Sequence, residues 1–368
     1  MDKDRSRSNS PLLRLLSSPG QARSLSIGQW EDLLSHARAT RLGGRLWFIL
    51  DRCRELDGVP AAVRQRLEAA FLAGEYDRRR LLWEIDRVQR ALRSEHASCI
   101  LLKGGAYALC GFNIARGRPS ADLDIMVPFG VLAEVEAALL ASGWEHVIVD
   151  DYDQRYYRRW MHELPPLRHR VRETELDLHH AILPRSSRLR LDMAPILAAA
   201  VEVDGRGVKV LAPADMTLHC AVHLFQDGEI SGALRDLVDF DALLRQFAED
   251  PGFWSALVPR ATRLGLGRPL FYALRYAARL LETPIPADVL RAAQSAKPAL
   301  PALALMDLMV PRTLLPAMSR GEKIAAGIAR YCLYLRSHWL RMPFLPLVAH
   351  LARKSLRRWK LRASESEI

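Results

Sequence analysis

The sequence predicts an α+β protein: a small mixed β-sheet held between N-terminal and C-terminal helical regions. Three observations predict it. From Ile27 to Leu92 apolar residues recur at three- and four-residue steps. Between Ser98 and Leu211 they gather instead into short apolar or alternating runs cut by glycine and proline. After Pro213 the helical step returns. A chain of 368 residues is too long for one small module, and its 49% hydrophobic and 26% charged residues exclude global disorder.

Taken in order, residues 1–26 are rich in Ser and Arg, with Pro11, Pro19 and Gly20, and are expected to be a flexible leader. The N-terminal helical region, 27–97, carries the periodic sets Leu33–Leu34, Leu46–Leu50 and Leu81, Leu82, Ile85, Val88, Leu92. Gly58 and Pro60 separate two of its helices. The core, 98–212, opens with a buried strand, Cys99 to Leu102, that stops at Gly104-Gly105, and a helix begins at Ala106. Leu123 to Val127 is a second strand, and Phe129 to Ser142 an amphipathic helix closed by Gly143. Glu145 to Val149 and the alternating Glu175 to His179 read as strands. Val201–Val203 and Val208–Leu211 form a hairpin across Asp204-Gly205-Arg206-Gly207. The C-terminal helical domain, 213–341, starts with Asp215 as N-cap of a helix from Met216 to Phe225. A basic segment, 342–368, ends the chain.

The net charge of +11 is local. Eleven Lys and Arg and one acid, Glu322, lie between Arg320 and Arg362, so ten of the eleven excess charges sit there. Near its end Leu351, Leu356 and Trp359 recur at helical spacing among Arg353, Lys354, Arg357, Arg358, Lys360 and Arg362. Such a helix suits an anionic membrane surface or nucleic-acid phosphates, or packs on the domain with its charged stems in water. The longest uncharged apolar stretch there, Met342 to Ala349, contains two prolines and is far short of the ~20 residues a bilayer span needs. Five scattered cysteines without a CxxC pair support neither a zinc site nor a disulfide framework. The expectation is a cytoplasmic protein, with a peripheral position at the inner membrane face as an option for the basic segment.

The chemistry concentrates between Lys103 and Asp124. A strand that stops at Gly104-Gly105 before a helix exposes backbone N–H groups to phosphate oxygens, and Lys103 adds a positive charge beside them. Asp122 and Asp124, two apart on a strand, aim their carboxylates to one face, while Leu123 and Ile125 face the core. Two carboxylates on one point call for a cation, and oxygen ligands suit Mg²⁺. Lone glycine pairs are usually turns and lone DxD runs solvated edges; their order within 22 residues is what makes them specific.

Leu102-Lys103-Gly104, Arg118, Asp122-Leu123-Asp124-Ile125 and Asp177-Leu178-His179 resemble the core of the bacterial family known as uncharacterised nucleotidyltransferase, within the polymerase-beta-like superfamily. The resemblance extends over roughly residues 27–250. It implies a nucleotidyltransferase core and Mg²⁺-dependent transfer of a nucleotidyl group from an NTP to an acceptor: a small molecule, a peptide or an RNA end. By that resemblance Asp122, Asp124 and Asp177 hold the metal and are catalytic, with Asp177 as general base. Lys103, Gly104 and Gly105 face the nucleotide phosphates; Arg118 steadies phosphate or its neighbouring Asp, or else is a surface ion pair of little consequence. The superfamily places Gly-Ser where this chain has Gly104-Gly105, so a serine hydroxyl contact with the triphosphate is missing. That departure supports an alternative: an inert nucleotidyltransferase fold acting as a binding or toxin–antitoxin-type partner. His180 reads as a packed histidine, His219 and His223 as a buried helical face, and Asp236, Asp239 and Asp241 as surface or helix–helix polar contacts.

Overall fold

Three leucines decide where the N-terminus settles. In the computed structural model, which describes residues 10–93, 99–148, 150–203, 205–226, 233–315, 317 and 319–341, Pro11–Ser17 is helix α1 and Pro19–Ser24 a 3₁₀ helix. Leu12, Leu13 and Leu15 are fully buried, and the Ser10 hydroxyl caps α1 by accepting from the Leu13 N–H. Residues 10–24 are therefore packed, not a flexible leader, because burying three leucines offsets the entropy of ordering them. Helix α2 (Ile27–Ala39) starts on a capping box between Ser26 and Gln29, and α3 (Gly43–Arg52) packs along the 31-residue α4 (Ala61–Ala91). On α4 the buried face includes Leu81, Ile85 and Val88, the periodic set seen in the sequence.

Seven strands follow, all between Ile100 and Val210: β1 (Ile100–Leu101), β2 (Asp122–Met126), β3 (Trp144–His146), β4 (Leu167–His169), β5 (Glu175–His179), β6 (Val201–Glu202) and β7 (Lys209–Val210). They form one mixed sheet in the order β3-β4-β5-β2-β1-β7-β6. Its centre is the parallel pair β2–β5, which sets Asp122 opposite Glu175, Asp124 opposite Asp177 and Met126 opposite His179. β1 runs antiparallel to β2 and parallel to β7. The predicted hairpin is β6–β7.

Between the strands lie α5 (Lys103–Leu109), α6 (Leu132–Ala141), α7 (Asp151–Trp160) and α8 (Ala194–Ala199). Helix α5 starts three residues before the expected Ala106, so Gly104-Gly105 lies in its first turn. Helix α6 follows a 3₁₀ turn at Phe129–Val131, and β3 ends at His146 instead of reaching Val149.

Seven helices complete the described chain: α9 (Pro213–Gln226), α10 (Ala233–Phe247), α11 (Pro251–Arg263), α12 (Gly267–Leu280), α13 (Ala287–Ala293), α14 (Leu300–Leu314) and α15 (Arg320–Arg341). α9 packs on α10 and α12, and α14 pairs with α15. Asp215 is not the N-cap of α9. It lies buried in the first turn and accepts two bonds from Arg260, each 2.7 Å. No described helix is long and apolar enough to cross a membrane. The basic segment 342–368 lies outside the described residues.

Three glycines bring α3, α4 and the loop before β2 into backbone contact. A Cβ on Gly74 would stand 2.6 Å from the Gly117 carbonyl carbon, and one on Gly44 would stand 2.4 Å from the Gly117 oxygen. Gly117 itself has φ +65°, and Glu75 fixes it by accepting its N–H at 3.1 Å. Alanine in mid-helix normally stabilises by about 1 kcal/mol relative to glycine. Here Gly74→Ala is expected to destabilise instead, by about 1–3 kcal/mol, through overpacking. Gly130→Ala, with no atom near its would-be Cβ, should stay within about 0.5 kcal/mol. Urea denaturation of both variants checks this, and a stabilised Gly74→Ala would contradict the close approach.

Candidate functional site

The β2–β5 pairing turns one sheet face polar. Leu123, Ile125, Leu176 and Leu178 are fully buried on the other face, so Asp122 and Asp124 share their side with Glu175, Asp177 and His179. Asp124 is buried and Asp122 exposed. The Lys103 ammonium donates to Asp124 Oδ1 at 2.8 Å, and His179 Nε2 lies 3.1 Å from the same oxygen. Burial alone would raise the Asp124 carboxyl, but Lys103 and His179 outweigh it and hold the group well below the usual carboxylate range.

His179 serves two carboxylates. Its Nδ1 is 3.4 Å from Glu163 Oε2, a neighbour that an isolated bridge between Glu163 and His179 brings to the sheet. Burial works against a charged imidazole, yet Asp124 and Glu163 together raise its pKa. Burial, then the charges of Asp124 and Glu163, pushes the Asp177 carboxyl up to about 7, and the pull of the His179 charge does not prevail.

Lys103 reaches Asp124 because its backbone turns left-handed, with φ 41° at the first residue of α5. Such a conformation costs a non-glycine residue of order 1–3 kcal/mol and is retained only where its surroundings enforce it. The two glycines after it divide their roles. Gly104 lines a cleft, where a Cβ would stand 2.6 Å from Ser120 Oγ. Gly105 faces the core, where a Cβ would meet Leu123 Cδ1 at 3.0 Å.

The cleft, about 100 Å³, lies between α5, the loop before β2, α9 and α10. Arg118 lines it but is engaged: Nε donates to Asp239 Oδ2 at 2.8 Å and Nη1 to Ser120 Oγ at 2.6 Å. This is a buried pair across 121 residues of sequence, not a surface contact. From α9 come buried His219, kept neutral by burial and the nearby Lys103, and His223, whose Nδ1 is 3.4 Å from Asp236 Oδ2. Burial would raise Asp236, but His223 and Arg235 hold it well below the usual range. His219 is thus the buried histidine the sequence suggested, on a wall of the cleft. Asp239 is a polar contact between elements, and Asp241 joins Arg245 at 2.9 Å and Thr283 at 2.6 Å.

Sequence reasoning passed over Glu163, Ser120, Arg235 and Asp236 as parts of this region. The available signals were the His219–His223 and Asp236–Asp239 spacings, each marking one helix face.

Two carboxylates and an imidazole are ligand types that divalent cations take, the carboxylates being the ones that suit a hard cation. Ligand atoms of Asp124, Asp177 and His179 lie within 4.8 Å of one another, and the raised Asp177 carboxyl shows negative charge that local cations leave uncompensated. Asp122 shares the strand face but stands outside this cluster.

The family model described as uncharacterised nucleotidyltransferase matches residues 27–282, and the chain belongs to that family. No curated protein and no solved structure matches it.

The raised Asp177 carboxyl has a stability consequence. The native state holds the proton to about pH 7, whereas the unfolded chain loses it near pH 4, so this group's contribution weakens as pH rises between them. Asp177→Asn, neutral at every pH, should be more stable than the native sequence above pH 7 by about 1–3 kcal/mol in chelator, with the difference vanishing near pH 4. Thermal melts across that range check it. An equal or lower stability of the variant at pH 8 would show that Asp177 is not held against neighbouring charge.

Proposed function

We propose that the protein is a Mg²⁺-dependent nucleotidyltransferase that moves a nucleotidyl group from an NTP to an acceptor hydroxyl or phosphate. The observation that carries the reading is the parallel register that sets Asp124 beside Asp177, with Lys103 2.8 Å from Asp124. The acceptor oxygen bonds to the α-phosphorus, the bond from that phosphorus to the α–β bridging oxygen breaks, and pyrophosphate leaves. Asp124 and Asp177, with Asp122 at the exposed end of β2, would hold the cation. Bound there, Mg²⁺ neutralises charge that develops on the phosphate oxygens.

The chain's own groups divide the remaining work. Asp177 takes the proton of an acceptor hydroxyl. His179, fixed between Glu163 and Asp124, orients the Asp124 carboxylate. Lys103 exchanges Asp124 for β- and γ-phosphate oxygens. Arg118 positions Ser120 from its bond to Asp239 and is not itself a phosphate ligand. Ser120 Oγ accepts from Arg118 and keeps its own proton for donation, so it offers from the loop the hydroxyl that Gly105 lacks. The cleft of about 100 Å³ has room for phosphate groups but not for a whole nucleotide, which asks for about 300 Å³ or more, so ribose and base lie toward solvent.

Incubation with each labelled NTP, Mg²⁺ and a cell extract identifies the molecule that becomes labelled. Asp124→Asn should cut labelling roughly 100-fold or more without loss of fold, since a carboxylate that holds the cation is removed. Lys103→Ala should weaken NTP binding more than acceptor binding. Full labelling by Asp124→Asn would sink the assignment. Nucleotide binding that never leads to labelled product, in any extract, would favour an inert binding fold.

A further inference from the structure

Helix α15 presents its large side chains the wrong way for a helix on a soluble domain. Ile324, Ile328, Tyr331, Leu335 and Trp339 follow one another at steps of four, three, four and four, so they share one face. Their exposures run from 40% at Leu335 to 63% at Tyr331. The opposite face, buried toward α14 and α9, is made of Ala326, Ala329, Leu333 and Ser337. An amphipathic helix that serves only its own core buries its large apolar residues, whereas α15 mostly buries its small ones. The exposed stripe is about 22 Å long at 1.5 Å per residue.

Its charge setting is one-sided. Glu322 is the only acid on α15, while Arg320, Lys323 and Arg330 are exposed beside the stripe. At its far end the Arg188 guanidinium sits 4.0 Å over the Trp339 ring. Beyond Arg341 the sequence adds six Lys and Arg between Arg353 and Arg362.

We infer that this face of α15 docks on an anionic phospholipid surface. Ile324, Ile328 and Leu335 enter the acyl boundary, Tyr331 and Trp339 lie at headgroup level, and the flanking cations meet the headgroup phosphates. A second copy of the chain fits the stripe worse, because a symmetric contact would bring these cations against one another. Nucleic acid would engage the cations but leave Ile324, Ile328 and Leu335 facing water. The helix lies on the surface and does not cross it. This reading is independent of the nucleotidyl-transfer assignment and places part of the membrane contact on α15, outside the basic segment 342–368.

The test uses the full-length protein and co-sedimentation with vesicles of phosphatidylcholine alone or mixed with phosphatidylglycerol. Binding is expected only to the anionic vesicles and should fall with added salt. Ile328→Ser combined with Leu335→Ser should weaken it roughly tenfold or more, with circular dichroism and thermal melting unchanged because both positions are exposed. Ile324→Ser alone should act in the same direction with a smaller loss. Lys323→Ala with Arg330→Ala should reduce the preference for phosphatidylglycerol. Unaltered vesicle binding by the apolar variants would overturn the inference. So would a dimer in light scattering that Ile328→Ser with Leu335→Ser dissociates, or binding to single-stranded RNA in place of vesicles that ignores those substitutions.

Discussion

The site depends on one constraint: two carboxylates, Asp124 and Asp177, directly opposite each other on neighbouring parallel strands, one of them buried. Like charges so placed repel strongly where water is excluded, so each requires either a cation or a proton. Asp124 takes two cations, Lys103 and His179. At Asp177 burial and the acidic neighbours outweigh the pull of His179, and the carboxyl is pushed toward its protonated form. The asymmetry leaves one carboxylate ionised and the other near neutrality, able to exchange a proton. Local strain follows from the same requirement, since Lys103 reaches Asp124 from a left-handed backbone.

Parallel pairing cannot come from a tight hairpin, so the 48 residues between Met126 and Glu175 must make the crossover. They return as α6, β3, α7 and β4, and on the way they deliver Glu163 to His179. The connection that allows the register thus also supplies the carboxylate that steadies its histidine. A second tie closes the other side. The Arg118–Asp239 pair fastens the loop before β2 to α10, so the C-terminal helices form one wall of the cleft. Losing one member of a buried pair leaves the other charge uncompensated, which makes this contact a matter of integrity as much as of chemistry.

What the sequence made legible follows from what is local. Alternation in Glu175–His179 and the Asp122-x-Asp124 spacing specify which side chains share a face, and they do. Helical periodicity located α4 and its buried Leu81, Ile85 and Val88. Pairing between strands about 50 residues apart is not local, and neither is the contact of Arg118 with Asp239, so the sequence leaves that arginine between a phosphate contact and a surface pair. Pro11 to Ser24 misled for another reason: Ser, Arg, Pro and Gly suggest a leader, yet three leucines in four positions suffice to dock it. Gly104-Gly105 read as a turn for phosphate, but the pair is helical and only Gly104 faces the cleft. Whether a glycine serves a ligand or a neighbouring side chain depends on packing that spacing does not encode.

Charge at the cleft limits what can bind there. Its lining carries Lys103, Arg118 and Arg235 against Asp122, Asp124, Asp236 and Asp239. Arg118 is committed to Asp239, Arg235 lies 3.4 Å from Asp236, and Lys103 is on Asp124. A bare triphosphate therefore meets a wall whose positive charges already face carboxylates, and the excess basicity of the chain lies elsewhere, between residues 320 and 362. Under the proposed function, a cation held by the carboxylates on β2 and β5 would offset their charge and make phosphate oxygens acceptable there. Such a cation would also compete with the Lys103 ammonium for Asp124. Under the same proposal, the ion pair between Lys103 and Asp124 would be the arrangement before a nucleotide binds.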